Sequence, residues 1–201
     1  MIPDLYLASQ SPRRRELLDQ IGVMHSVVRV SVPEQMATGE SALAYVQRLA
    51  REKAAAGFAE LQQQKLPLAP VLGADTLGLI DGVVLEKPRD KAHARQILRQ
   101  LSGRTHEVIT AIALHSQTQQ AQRLAVTRVT FRELSDAEID AYWETGEPQD
   151  KAGGYGIQGL GAVFVKEIHG SYSCVVGLPI EATCELLREF RVPWWSLGVK
   201  A

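Results

Sequence analysis

Three short stretches carry residue types and spacings suited to phosphate chemistry. Ser9-Gln-Ser-Pro-Arg-Arg-Arg15 follows a short apolar run and precedes Glu16-Leu-Leu18, so a serine cap and a proline stand at a helix start. Amides at such a terminus point outward and the helix dipole favours negative charge. Arg13 and Arg14 add charge-assisted donors beside the Ser9 and Ser11 hydroxyls. The same residues also suit an ordinary capped helix with a solvated basic turn. Val71-Leu-Gly-Ala-Asp75-Thr76 is an apolar strand ending in a carboxylate, the place where ligands meet strand ends in open α/β sheets. There Asp75 can hold a divalent cation and orient or deprotonate a water, the two requirements of phosphoanhydride hydrolysis. A plain Asx turn is the structural alternative. Glu34, in Ser31-Val-Pro-Glu34 after another apolar stretch, is a candidate second acidic ligand.

Two lysines and a glycine-rich loop complete the candidates. Lys53 lies within a long helical stretch, and Lys87 precedes Pro88, which restricts it to extended backbone. A solvated surface charge is the alternative for each. Gly153-Gly-Tyr-Gly-Ile-Gln-Gly-Leu-Gly161 contains GxGxxG at Gly154, Gly156 and Gly159. A strand-like segment follows it rather than a helix, so the dinucleotide-binding reading fails. Five glycines in nine residues mark either a backbone that lets something approach closely or a tight structural crossover. Gln158 offers an amide donor and an acceptor suited to a base edge. The chain has no P-loop, GxSxG elbow, HExxH or CxxC, and its five histidines lack ligand spacing.

These residues need a scaffold, and 201 residues suffice for one domain or two intimately joined lobes without disulfide staples. Apolar residues at 45% and charged residues at 22% describe an ordinary globular chain. A net charge of −1 leaves anion binding to local clusters and disfavours coating a nucleic-acid polymer. No apolar run approaches the ~20 residues of a membrane span, and the N-terminus lacks a secretory pattern. Cys174 and Cys184 read as two reduced, buried thiols of a cytoplasmic protein.

Strand-like segments at Leu5–Ala8, Val27–Val30 and Val71–Ala74 alternate with helical ones, an α/β pattern. Ser41–Gln64 predicts the longest helix, and Leu77–Leu85 a hairpin turning at Asp81-Gly82. Lys91–Leu101 predicts another helix. Val108–Leu114 and Leu124–Phe131 predict a long hairpin. Ser135-Asp-Ala-Glu138 has the capping-box form and opens a helix ending near Gly146. Ala162–Ile168 reads as a strand, and Pro179–Arg191 as a final helix opened by proline. Trp194-Trp195 are expected to cover the core or a subunit contact.

Taken in order, Ser9-x-Ser-Pro-Arg-Arg, Arg51-Glu-Lys53-Ala, Gly73-Ala-Asp75-Thr76, Glu86-Lys87-Pro88, Leu101-Ser-Gly-x-Thr-His106 and Asp150-Lys-Ala-Gly-Gly-Tyr-Gly-Ile-Gln-Gly159 resemble the Maf family of nucleoside triphosphate pyrophosphatases. Gly170-Ser-Tyr to Val176-Gly-Leu-Pro179 extends the match, which is most similar to the dTTP/UTP subgroup. The resemblance implies one chain-long α/β domain with a mixed sheet and two lobes around an elongated nucleotide cleft, similar to the inosine triphosphate pyrophosphatases. It also implies a homodimer, and Mg²⁺- or Mn²⁺-dependent hydrolysis between the α and β phosphates. By motif position, Asp75 is implied as proton acceptor, Glu34 as metal or water partner, and Arg13, Lys53 and Lys87 as triphosphate contacts. Arg13, Thr76 and Gln158 fall at positions of base selection. Gln10 stands where a small residue is common, and Gly154 where alanine is frequent. A non-catalytic nucleotide-binding regulator of cell division, or a pyrophosphatase for a purine or modified base, would use the same pocket. The tail from Pro193 to Ala201 carries no family meaning.

Overall fold

The computed structural model describes residues 3–195; residues 196–201 of the tail lie outside them. The fold is mixed α/β. Its strands are β1 (Leu5–Leu7), β2 (His25–Val27), β3 (Val71–Ile80), β4 (Val83–Leu85), β5 (Thr105–His115), β6 (Gln120–Phe131) and β7 (Val165–His169). They hydrogen-bond in the order β2-β1-β3-β5-β6-β7, with β4 against β3. β1 runs parallel to β2 and β3, whereas β3/β4 and β6/β7 are antiparallel. The helices are α1 (Pro12–Gln20), α2 (Ala42–Gln63), α3 (Lys91–Leu101), α4 (Asp136–Glu144), α5 (Tyr172–Val176) and α6 (Ile180–Glu189).

The chain forms two compact units. The first contains the segment up to Thr76, Thr110–Ala125, and the chain from Gly177 onward; the second contains Leu77–Ile109 and Val126–Val176.

In the first unit, α2 packs its small residues against the parallel strands. A Cβ added at Gly73 would meet the Ala50 carbonyl oxygen and come within 2.5 Å of the Ala54 nitrogen. One added at Gly57 would come within 2.7 Å of Val71 and 3.0 Å of Val28. Helix and strand backbones therefore approach as closely as two glycines allow. Around this contact Tyr6, Ala8, Val28, Phe58, Leu61 and Val71 form a buried apolar cluster. Ser41, expected as the first residue of the helix, is instead its N-cap, accepting from the Ala44 amide at 3.2 Å.

In the second unit, Asp81 and Gly82 take φ values of 52° and 78°, the left-handed pair that a tight primed turn requires. Asp90 caps α3, and Ser135 with Glu138 forms the full capping box of α4. Ion pairs Lys91–Glu144, Arg95–Asp140 and Arg99–Asp136 join α3 to α4.

Several expectations are corrected. The second strand is His25–Val27 rather than Val27–Val30: the Val28 amide gives the last ladder bond to the Leu7 carbonyl (3.1 Å), and the Val28 side chain joins the core. Ala162–Ile168 is not one strand: Leu160–Phe164 is a 3₁₀ turn, and pairing begins at Val165. The Ala162 amide closes a turn on the Gly159 carbonyl at 3.2 Å, and a side-chain carboxylate takes the Leu160 and Gly161 amides at the start of that turn. Pro179 is the N-cap of α6 rather than a residue of its first turn. Cys174 is buried but Cys184 is only half-buried. Trp195 is 74% exposed and covers no core. No helix among the described residues is long and apolar enough to cross a membrane.

Candidate active site

The geometry centres on the middle of β3: Asp75, expected where a strand ends, lies inside the strand, which runs on through Thr76 to Ile80 and pairs there with β4. Asp75 emerges where α2 comes closest to the strand, and Lys53 stands on the facing part of that helix. The Lys53 ammonium lies 2.7 Å from Asp75 Oδ1 and 2.6 Å from Glu34 Oε1. One cation is thus shared by two carboxylates from segments 41 residues apart. The lysine and aspartate side chains are only 12% and 13% exposed, whereas Glu34 is 54% exposed. Burial raises the Asp75 pKa above the ordinary aspartate value, and Glu34 adds to that rise; Lys53, and then Arg14, oppose it. A buried carboxylate kept beside an ammonium can both accept a proton and hold a cation.

Glu34 sits on an irregular segment tied down by Arg48 of α2. Arg48 donates to both Glu40 oxygens at 2.7 and 2.8 Å, to the Gln35 carbonyl at 2.9 Å, and to Glu52. The Arg48 guanidinium, with the Ala37 amide, holds Glu40 down to about 2. The sequence reading passed over Arg48; its only signal is its place one and a half turns before Lys53 on the same helix.

Arg14 is a clamp. Its Nε donates to the Gly177 carbonyl at 2.8 Å, Nη1 to Ser9 Oγ at 3.1 Å, and Nη2 to Thr76 Oγ1 at 3.2 Å. Thr76 Oγ1 in turn lies 2.9 Å from Thr110 Oγ1. Burial lowers the Arg14 pKa, with Asp75 the largest opposing influence. Ser9 Oγ also accepts from the Ser11 amide at 3.2 Å, and Ser11 makes no side-chain cap. The loop before α1 is therefore held by Ser9 and Arg14 rather than by the expected serine cap. The half-buried Arg13 side chain makes no hydrogen bond or ion pair among the described residues. Thr110 and Gly177 were not singled out in the sequence.

The first unit thus brings together Ser9, Ser11, Arg13, Arg14, Glu34, Lys53, Asp75 and Thr76, while Lys87 and Gln158 belong to the second unit. There the Gly153 amide donates to the Glu86 carbonyl at 3.1 Å. A Cβ on Gly154 would lie 3.0 Å from Pro88 Cγ. The segment carrying Lys87 therefore rests directly on the glycine-rich loop, which the sequence spacing did not reveal. Lys87 is exposed above buried Pro88. Tyr155 anchors the loop inward, its hydroxyl 2.8 Å from His106 Nε2. The Gly159 amide closes a turn on the Gly156 carbonyl at 3.2 Å, and Gln158 is exposed within it.

A divalent cation suits the carboxylate pair. Glu34 and Asp75 already face a single positive charge, and two carboxylates completed by substrate oxygens are the hard-oxygen set that Mg²⁺ or Mn²⁺ takes. Among the described residues no three His, Cys, Asp or Glu side chains form an all-protein metal cage.

The chain is similar in sequence to known proteins along nearly its whole length. The chain is 59% identical over 193 residues to the dTTP/UTP pyrophosphatase of Saccharophagus degradans, covering 96% of this chain and 91% of that one. It is 56% identical over 186 residues to the dTTP/UTP pyrophosphatase of Shigella sonnei, with 92% of each covered. It is 51% identical over 193 residues to the protein of that name from Alkalilimnicola ehrlichii, covering 96% and 95%. Residues 4–190 match the family described as Maf-like protein. With that match spanning nearly the whole chain and relatives this similar along their length, the protein belongs to the Maf family.

Proposed function

We propose that the protein is a nucleoside triphosphate pyrophosphatase that hydrolyses dTTP and UTP between the α and β phosphates, releasing nucleoside monophosphate and pyrophosphate. The observation that carries this reading is the convergence of Glu34 and Asp75 on the Lys53 ammonium. It is supported by family relatives whose names state that activity.

Water attacks the α-phosphorus, a new P–O bond forms, and the bond from that phosphorus to the bridging oxygen breaks. Asp75 orients the water and accepts its proton; pyrophosphate departs with the bridging oxygen. Lys53 keeps Asp75 ionised and, with Arg13, Lys87 and the amides before α1, balances triphosphate charge. Glu34 and Asp75 would hold a Mg²⁺ or Mn²⁺ ion, which supplies further neutralisation of phosphate charge. Arg14 sets Ser9 and Thr76 in place through its three hydrogen bonds. Thr76 and Gln158 contribute to base selection, with the Gln158 amide pairing with the edge of uracil or thymine. An unmatched base there leaves a polar group without a partner, at a cost of ~1–3 kcal/mol. The reading also includes a homodimer, checked by sedimentation, and a cytoplasmic nucleotide-pool role, checked by triphosphate levels in cells lacking the protein.

The test is a panel of canonical and modified triphosphates with Mg²⁺ or Mn²⁺, resolving monophosphate and pyrophosphate from diphosphate and orthophosphate. UMP or dTMP with pyrophosphate, greatest for UTP and dTTP, is the expected result. Binding of intact nucleotide without cleavage of any would replace this reading with that of a nucleotide-sensing regulator.

A further inference from the structure

The glycines around Gln158 make room for the protein's own side chains. Glu147, just after α4, reaches into the loop. Its Oε1 accepts from the Tyr142 hydroxyl at 2.6 Å and from the Gly161 amide at 2.9 Å; its Oε2 accepts from the Leu160 amide at 2.8 Å. The Tyr142 hydroxyl also accepts from the Gly156 amide at 3.1 Å. Both ends of the segment Gly156–Gly161 are thereby tied to one Glu147–Tyr142 pair, and Gln158 is presented between them.

The space confirms which atoms the glycines serve. A Cβ on Gly159 would come within 2.6 Å of Glu147 Cδ, one on Gly156 within 3.0 Å of Glu147 Oε1, and one on Gly161 within 2.6 Å of the Tyr142 hydroxyl. A side chain at Gly159 or Gly161 would displace the carboxylate or the phenol, and one at Gly156 would press on the same carboxylate. Burial alone would raise the Glu147 pKa, but the hydrogen bonds from Tyr142, Gly161 and Leu160, with Lys151 nearby, hold it below the ordinary glutamate value. Glu147 is thus an ionised acceptor whose oxygens face donors. Lys151 adds to the hold, donating to the Glu147 carbonyl at 2.8 Å.

We propose that Glu147 is a positioning residue for base selection: with Tyr142 it fixes the Gly156–Gly161 turn so that the Gln158 amide is presented in one orientation. A turn with glycine at both ends has many accessible backbone conformations, and recognition through one amide needs most of them removed before the nucleotide arrives. The inference rests on the reading of Gln158 as the base-edge contact.

The experiment measures kcat/KM for UTP and for CTP in the full-length parent, Gln158→Ala, Glu147→Gln and the double variant, with Tyr142→Phe in parallel. Glu147→Gln keeps the volume but turns an amide NH₂ toward backbone donors. Gln158→Ala and Glu147→Gln are each expected to lower the UTP-over-CTP ratio about tenfold, the size of one lost buried hydrogen bond. The double variant is expected to fall no further, because both changes disable one contact. A folded Glu147→Gln with the parent ratio, or a double variant whose losses multiply, overturns the inference while leaving the Gln158 reading intact. A parent ratio in Gln158→Ala overturns that reading, and the inference with it. If Glu147→Gln does not fold, Tyr142→Phe decides, since it removes one donor from Glu147 and the acceptor for Gly156: a lowered ratio supports the inference and an unchanged one overturns it.

Discussion

Asp75 occupies a place that opposes its own charge. Burial raises its pKa, and Lys53, the strongest opposing influence, does not bring it back to the ordinary aspartate value. A folded pKa above the unfolded one means that the fold favours the protonated form. The ionised carboxylate therefore weakens the fold increasingly as pH rises from the unfolded pKa to the folded one, and does so fully above it. Neutralising the residue at pH 7 removes that burden and leaves Lys53 paired with Glu34. Asp75→Asn without added metal is expected to melt no lower than the parent while turnover falls by at least about a hundredfold, the scale of a lost general base. Calorimetry and the product assay check the two halves separately. A lower melting temperature would mean that the Lys53–Asp75 pair holds the fold together more than it burdens it.

The contact between α2 and β3 sets the distance between ammonium and carboxylate. Gly73 lies two residues before Asp75, and its missing Cβ is where the Ala50 carbonyl and the Ala54 nitrogen sit. Both flank Lys53 in the helix. A methyl group there meets backbone on the helix side, which cannot turn aside as a flexible side chain would. Gly73→Ala is expected to cost about 1–3 kcal/mol in denaturant unfolding, the usual scale of overpacking. Turnover should fall as well, because the helix must move away and take Lys53 with it. The same change at Gly82, where an added Cβ meets nothing within 4 Å, strains only the turn and should leave turnover near the parent value. Arg48 acts from the same helix: by holding Glu40 and the Gln35 carbonyl it fixes the segment that delivers Glu34.

For the whole molecule, acid stability should depend on a group outside the candidate site. His106 is 2% exposed, with Nε2 against the Tyr155 hydroxyl and Nδ1 without a partner. Burial pushes its pKa from 6.5 down to about 4. A depressed folded pKa means that the fold favours neutral imidazole. The associated stability is complete above the unfolded pKa and is lost as pH falls from about 6.5 toward 4. The shift corresponds to on the order of 3 kcal/mol. Denaturant unfolding at pH 7 and pH 4.5 should show this loss in the parent and a smaller one in His106→Gln. Equal losses would assign acid sensitivity to other groups. Because Tyr155 belongs to the loop that presents Gln158, the same protonation should loosen that loop.

Much of this protein is determined by local sequence. The Asp81-Gly82 turn and the Ser135–Glu138 capping box form as their residues predict, because each depends on neighbours within four positions. The order of motifs was likewise sufficient to reveal the Maf family. Other features follow only from tertiary contacts. The 3₁₀ turn at Leu160–Phe164 has two of its amides taken by Glu147, far from it in sequence. Arg14 looked like a phosphate donor at a helix start, yet Ser9, Thr76 and Gly177 accept its hydrogen bonds. The residue types that can share a proton, a phosphate or a base edge are legible in the chain itself. Only packing decided that Lys53 stands between Glu34 and Asp75, because those distances depend on how closely a glycine lets a helix approach a strand.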